Sequence, residues 1–251
     1  MASKPIAFEG ECGSEEKTIC EGCEGHETEK DVITVLCCIN DSTGSILPYL
    51  SNYVGGINEF LGEQAIKDTT SSSVFYNTMV FGGERRMWKH STFVSISEFV
   101  PYTEETYRVD GMTALYDAIG EGISKVDAFV EPLQTTGQRL NIVFFIQTDG
   151  HENSSLKYTQ ETIRALISER QNKREWKFIF IGANQDAILT GTNLGVARGT
   201  TATYGQTQDS IRGVYRAVSE NVSAYRDGGV LPSFSVAQRM AASVPEPKHE
   251  V

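Results

Sequence analysis

The chain has 251 residues, of which 39% are hydrophobic and 22% are charged, and its formal net charge is −11. This composition is typical of a folded globular protein and excludes an intrinsically disordered chain. The longest apolar runs, at residues 32–39 and 142–146, are far shorter than the ~20 residues needed to cross a bilayer. We therefore expect no membrane span.

Acidic residues are concentrated at the start of the chain. Residues 1–31 contain nine acidic residues and three lysines, which accounts for more than half of the net charge. Because an acidic chain without a stripe of Lys or Arg is repelled by phosphate groups, nucleic acids and anionic membranes are poor candidate partners. The first residues also lack a basic segment followed by an apolar core, which predicts a cytoplasmic location.

The same N-terminal segment contains four side chains that could bind zinc: Cys12, Cys20, Cys23 and His26. A Cys-x₂-Cys pair is the usual half of a structural zinc site. The other two residues have no standard spacing, and the many glutamates around them disfavour independent folding. Two interpretations stay open: a zinc site, or a solvated arm at residues 1–30 that does not pack on the domain, which the composition favours.

From residue 31 onward, apolar β-branched runs alternate with stretches of helical periodicity. In chain order, strands are predicted at 32–40, 73–81, 92–100, 141–148, 177–182 and 200–204. Helices are predicted at 46–65, 113–130, 159–174, 185–194 and 208–226. The alternation indicates one α/β domain at residues 31–227, with a mostly parallel sheet between two layers of helices and a C-terminal tail at 228–251.

One pair of predicted strands breaks this alternation. The second and third strands are separated only by residues 82–91, where Gly82 and Gly83 supply a turn, so we expect an antiparallel hairpin at the sheet edge. The prediction is a three-layer, doubly wound, Rossmann-like fold with six strands in the order 3-2-1-4-5-6 and the third strand antiparallel. In the first helix, Gly55 and Gly56 are expected to allow close packing on the sheet.

Oxygen-bearing side chains follow two of the buried strands. The first strand ends in "DSTGS" at 41–45, the fourth ends in "TDG" at 148–150, and the loop "RVDGMTAL" at 108–115 opens a helix. In an open α/β sheet the ligand site lies beyond the carboxyl ends of the strands. If the first and fourth strands are neighbours, this edge collects two carboxylates and three hydroxyls, from Asp41, Thr43, Ser45, Thr113 and Asp149. Such hard oxygen donors suit Mg²⁺, Mn²⁺ or Ca²⁺ and disfavour zinc.

These segments resemble the three metal-site motifs of von Willebrand factor type A (vWA) domains, and they occur in the same order. "GGINEFL" (55–61), "YTEETYRVDGMTALYDAIG" (102–120), "TDGHEN" (148–153) and "FIFIGANQDA" (178–187) are similar to a bacterial and bacteriophage group of stand-alone intracellular vWA proteins. The resemblance covers residues 31–227. Two positions depart from the usual pattern: Thr43 stands where Ser is commoner, and Ile46 stands where Met is frequent.

The resemblance implies a metal-ion-dependent adhesion site (MIDAS), in which one Mg²⁺ is held by the five oxygen side chains and an acidic residue of a protein partner completes the shell. The predicted function is therefore a non-enzymatic protein-binding module. Two alternatives stay open: a Mg²⁺-dependent phosphoester hydrolase with His151 or Glu152 as the base, and a structural component of a phage particle or protein assembly. Taken alone, "DSTGS" is also compatible with a polar turn that caps a helix.

Overall fold

The computed structural model describes residues 32–66, 72–82, 85–183 and 187–243. The possible zinc ligands Cys12, Cys20, Cys23 and His26 lie outside the described residues, and so does the proposed N-terminal arm. Within these four ranges, no helix is both long enough and apolar enough to span a membrane.

A single seven-stranded sheet forms the centre of the described structure. Its strands are β1 (Val32–Asp41), β2 (Ser72–Gly82), β3 (Arg85–Trp88), β4 (Val94–Ser95), β5 (Arg139–Thr148), β6 (Lys177–Ala183) and β7 (Thr201–Tyr204). The order is β3-β2-β1-β5-β6-β7, with β4 also paired to β2. The pairs β2–β1, β1–β5, β5–β6 and β6–β7 are parallel, whereas β3 and β4 run antiparallel to β2. This confirms the predicted strand order and the predicted antiparallel edge.

Among the described residues, six α-helices cover the two faces of the sheet. They are α1 (Leu50–Ile66), α2 (Leu115–Val130), α3 (Gln160–Arg174), α4 (Ala187–Asn193), α5 (Gln208–Gly228) and α6 (Val236–Ala242). Apolar residues of α1, α5 and α6 form one core with one face of the sheet, and those of α2, α3 and α4 form a second core with the other face. Because side chains alternate along a strand, β1 contributes Leu36 and Cys38 to the first core and Val35 and Cys37 to the second. The three-layer architecture is as predicted.

The antiparallel edge differs from its prediction in position. The continuous strand predicted at 92–100 is wrong: the edge consists of the two short strands β3 and β4, and residues 96–98 form a 3₁₀ turn. The buried side chain of Asn77 explains the interruption, because its Nδ2 donates to the carbonyls of His90 (3.0 Å) and Thr92 (2.8 Å). Its Oδ1 accepts the His90 amide at 3.2 Å, so a side chain replaces the strand ladder at this point.

The packed structure continues past the boundary predicted at residue 227. Helix α6 begins with a capping box formed by Ser235 and Gln238 and lies against α5. The amide of Gly205 donates to the carbonyl of Ala242 at 3.0 Å, and Nη1 of Arg239 donates to the carbonyl of Thr201 at 2.7 Å. These contacts attach residues 236–242 to β7 and to the loop that follows it.

The two adjacent glycines of α1 have different surroundings. A Cβ built at Gly56 would lie 2.3 to 2.8 Å from the ring of Tyr215 in α5, whereas a Cβ at Gly55 would meet no atom within 4 Å. Gly56 therefore allows close packing of helix on helix, and the expected contact with the sheet is replaced by a contact with α5. Gly55 is exposed on the outer face of α1.

We expect Gly56→Ala to lower stability and Gly55→Ala not to lower it. The first forces Tyr215 away from α1 and should lower the free energy of unfolding by about 1–3 kcal/mol. The second adds only helix propensity and should be neutral or raise it by up to about 1 kcal/mol. Urea denaturation of both variants measures the difference, and equal effects would contradict the packing described for α1 and α5.

Candidate metal centre

The candidate site lies at the carboxyl edge of the two central strands. β1 and β5 pair in parallel, with Asn40 of β1 opposite Gln147 of β5. The two strands therefore end at the same edge of the sheet. Asp41 is the residue after Asn40, and Asp149 is the second residue after Gln147. The predicted site requires that these two strands be neighbours, and they are.

Asp41 is fully buried and its carboxylate is oriented by two donors. Its Oδ1 accepts the backbone amide of Thr43 at 2.8 Å, and its Oδ2 accepts the hydroxyl of Thr148 at 2.6 Å. The hydroxyl of Tyr107 donates to the Asp41 carbonyl at 2.6 Å, which holds the main chain at the end of β1. Hydrogen bonds to both carboxylate oxygens and to the main-chain carbonyl thus fix the position of Asp41.

Three of the predicted ligands are in direct contact. The hydroxyl of Ser45 donates to Oδ1 of Asp149 at 2.7 Å and lies 3.0 Å from the hydroxyl of Thr43. The Thr43 hydroxyl is 3.5 Å from the same carboxylate oxygen. The loop after β1 and the end of β5 therefore meet through oxygen atoms.

Thr113 approaches the cluster from the loop before α2. An ideal Cβ on Gly150, the residue after Asp149, would lie 2.9 Å from the Thr113 hydroxyl oxygen. The Thr113 amide donates to Oδ1 of Asn153 at 2.9 Å, and the Asn153 amide donates to the Thr113 carbonyl at 3.0 Å. This reciprocal pair holds Thr113 beside the loop that carries Asp149.

The electrostatics of the two aspartates are unfavourable in the absence of a cation. Burial raises the pKa of Asp41, against the hydrogen bonds from Thr148 and Thr43. Burial, and next the charge of Asp41, raise the pKa of Asp149 to about 6. A bound divalent cation would offset both penalties, because its positive charge compensates for lost solvation and for the repulsion between the two carboxylates.

The donor set fits a hard cation. Carboxylates and hydroxyls are ligand types that Mg²⁺, Mn²⁺ and Ca²⁺ accept, and none of the five predicted side chains carries nitrogen or sulfur. In the part of the chain that the structure describes, no group of three or more His, Cys, Asp or Glu residues could hold a metal ion. A metal at this edge would therefore depend on two carboxylates and on neutral oxygen atoms.

Two polar residues at the site were not among the predicted ligands. Thr148 is the first residue of the "TDG" segment. Its hydroxyl can reach the Asp41 carboxylate because β1 and β5 are neighbours. Gln206 follows β7, and its Nε2 donates to Oδ2 of Asp149 at 3.2 Å. Its position just beyond the carboxyl end of the last strand is the sequence signal that could have identified it.

The two candidate bases of the hydrolase alternative have different surroundings. His151 is exposed on the loop. The carboxylate of Glu152 accepts the amides of Tyr116, Ser154 and Ser155 at 2.7 to 3.0 Å, and the hydroxyl of Ser155 at 2.8 Å. Glu152 therefore orders the loop and the start of α2, as a cap does.

The raised pKa of Asp149 predicts a pH-dependent stability of the metal-free protein. Because the folded pKa, about 6, lies above the ordinary value of 3.8, this residue favours folding when protonated, and its contribution falls as pH rises from about 4 to about 6. Relative to Asp149→Asn, wild type in EDTA should lose on the order of 1–2 kcal/mol over that range, after allowance for solvent screening. Urea denaturation of both proteins at several pH values measures this, and parallel curves would contradict it.

Comparison with known proteins gave matches at the level of structure. No protein-family model matches the chain, and no curated protein matches it. A von Willebrand factor type A structure from Catenulispora acidiphila matches with a TM-score of 0.51, 13% identity and coverage of 76% of this chain and 42% of its own. The pilus adhesin SpaC from Lactobacillus rhamnosus GG matches with a TM-score of 0.55, 11% identity and coverage of 78% and 30%.

Proximal thread matrix protein 1 from the mussel byssus has a TM-score of 0.49 and 14% identity, with coverage of 76% of this chain and 46% of its own. The chain thus spans less than half the length of each of these three proteins. Strand order, the antiparallel edge and the helices on both faces agree with the match to the Catenulispora domain. This chain therefore has the von Willebrand factor type A fold.

Proposed function

We propose that the protein is a non-enzymatic binding module that captures an acidic residue of a protein partner through a divalent cation, with Mg²⁺ as the preferred ion. Its ligands would be Asp41, Thr43, Ser45, Thr113 and Asp149. The observation that carries the proposal is the contact of the Ser45 hydroxyl with the Asp149 carboxylate, 2.7 Å, beside the buried Asp41. Oxygen donors from the loop after β1 and from the residue after β5 meet there.

The charge balance explains why a partner's carboxylate would be bound. Two protein carboxylates neutralise a divalent cation without adding excess negative charge, and the remaining ligands would be hydroxyls and water. Water is readily displaced, so an Asp or Glu of a partner gains a strong bond to the ion. When bound, the ion would supply this attraction, while the protein residues set its position.

The absence of nitrogen and sulfur from the ligand set supports Mg²⁺, with Mn²⁺ or Ca²⁺ as alternatives, over zinc. A second metal site for zinc at Cys12, Cys20, Cys23 and His26 stays a prediction. Against the hydrolase alternative, Glu152, one of its two candidate bases, is occupied by four hydrogen-bond donors. A component of a phage particle or protein assembly would use the same site and differ only in its partner.

The proposed partner is a protein rather than a nucleic acid or a membrane. A chain with net charge −11 repels phosphate groups, except where a cation is held locally. A cytoplasmic location is proposed with it, supported by two free, buried thiols, Cys37 and Cys38, which face opposite sides of the sheet.

Mg²⁺ is expected to stabilise the wild type by binding only the folded state. At a hundred times Kd the gain is about 2.7 kcal/mol, or roughly 5–10 °C in Tm for a domain of this size. Asp41→Asn and Asp149→Asn keep the side-chain shape and remove a charge, so they should lose the shift while remaining folded. Thr113→Val should reduce the shift less than either, because a hydroxyl supplies only a dipole, and Thr113→Ser should retain it.

Asp227→Asn is the control for these variants. Asp227 is exposed in the last turn of α5, close to Gly229, which packs against Arg139 at the start of β5 and so at the opposite edge of the sheet. It should show the full wild-type shift. Thermal denaturation in millimolar Mg²⁺ and in EDTA measures all five variants, and an equal shift in Asp41→Asn and wild type would exclude the proposed site.

Capture of a protein partner should follow the same pattern. Immobilised wild type and Asp227→Asn should retain a partner in Mg²⁺ and release it in EDTA, whereas Asp41→Asn should retain none in either. The measurement is quantitative mass spectrometry of the eluted proteins from a lysate of the native host. Retention that is unchanged by EDTA would show that binding does not use the metal.

A further inference from the structure

A groove of about 730 Å³ lies beside the candidate metal centre. Its lining includes Arg86, Met112, Asp117, Asn153, Leu156 and Lys157. A volume of this size accommodates a few residues of an extended peptide. The five predicted ligands do not line it, so the groove is an additional surface.

The groove and the metal centre share one structural pair. Asn153 in the groove exchanges two hydrogen bonds with Thr113, at 2.9 and 3.0 Å, and Met112 is the residue before Thr113. A segment whose acidic side chain reaches the metal next to Thr113 can therefore continue directly into the groove.

One wall of the groove is a loop held by many backbone hydrogen bonds. The carboxylate of Asp117 in α2 accepts the amides of Leu156, Lys157 and Tyr158 at 2.9 to 3.1 Å. Glu152 accepts the amides of Ser154 and Ser155 from the preceding turn. The backbone at 154–158 is thus ordered before any partner arrives, which reduces the entropy lost on binding.

This ordered loop presents an apolar side chain to solvent. Leu156 is 91% exposed, and Met112, which also lines the groove, is 59% exposed. A leucine fixed outward by the hydrogen bonds of its own loop gains no packing in the free protein. Leu156 and Met112 therefore give the groove an accessible apolar part, and the flexible Met side chain can adapt its shape to a partner.

The accessible charge in the groove is positive. Asp117 is occupied by three amides, and Arg86 is paired with Glu121 at 3.0 Å. The ammonium group of Lys157 lies 5.1 Å from the ring centre of Tyr158 and forms no ion pair with any described residue. On a chain of net charge −11, this local cation complements an acidic segment.

We propose that the groove binds the part of the partner that adjoins its metal-binding residue. The bound segment would be extended, with an Asp or Glu at the metal, a large apolar side chain a few residues away between Met112 and Leu156, and a second acidic residue facing Lys157. The proposal rests on the proposed function, because the metal sets the register of the segment.

The test uses selected peptides as the probe. A phage library that displays random linear peptides is panned on the full chain in Mg²⁺, and the consensus peptide is synthesised with a fluorescent label. Enriched sequences should contain an acidic residue followed or preceded at short spacing by a large apolar residue and a second acid. Fluorescence anisotropy then gives the Kd for each protein variant in Mg²⁺ and in EDTA.

Leu156→Ser and Lys157→Glu should each weaken binding about tenfold in Mg²⁺, and the loss in Lys157→Glu should shrink at high salt. Both side chains are exposed, so the fold should be retained, which Tm in EDTA checks. Ile66→Ser is the matched control, because Ile66 is 85% exposed at the far end of α1, and its Kd should be unchanged. Asp149→Asn should abolish binding.

The outcomes separate the two proposals. Peptides that need Mg²⁺ and an acidic residue but bind Leu156→Ser and Lys157→Glu as tightly as wild type would overturn the groove and leave the metal function standing. Binding that survives EDTA and Asp149→Asn would overturn the metal function, and with it the register proposed here. Panning that enriches no sequence would count against both.

Discussion

The parallel pairing of β1 with β5 is the constraint on which the candidate site depends. It places Asn40 opposite Gln147, so that the following residues of both strands leave the sheet at one edge. A shift of one residue in this register would turn every side chain of a strand to the other face. Since both faces of β1 are buried in separate cores, such a shift is strongly disfavoured, and the positions of Asp41 and Asp149 follow from the packing of the whole sheet.

The acidic residues at this edge are of two kinds. Asp117 is partly desolvated, which alone would raise its pKa, but three backbone amides and Arg86 outweigh this and lower it. Burial raises the pKa of both Asp41 and Asp149, and the charge of Asp41 raises that of Asp149 further. The first kind stabilises the loop in the free protein. The second kind is destabilising when charged, and this contrast indicates which carboxylates are suited to a cation.

Hydrogen bonds from side chains hold each loop of the candidate site in place. Tyr107 holds the end of β1, Asn153 holds Thr113, and Glu152 and Asp117 hold residues 154–158. The helices beneath are fixed by close contacts such as that of Gly56 with Tyr215. If the proposed site binds a metal and a partner, it would do so without a large rearrangement, and its specificity would come from the neighbouring surfaces, where exposed charges and apolar side chains lie.

The sequence by itself determined the order of the sheet and the edge that carries the oxygen cluster, because periodicity reports burial and the ends of buried strands are marked by polar residues. The features that the sequence did not predict have a common physical cause. The break in the antiparallel edge depends on Asn77, the close approach at Gly56 depends on a ring 159 positions later in the chain, and the attachment of α6 depends on Arg239 and Gly205. Each is a contact between distant parts of the chain, which local pattern does not encode. For the same reason only the tertiary structure decided that the Tyr116 amide reaches Glu152 and that Gln206 reaches Asp149.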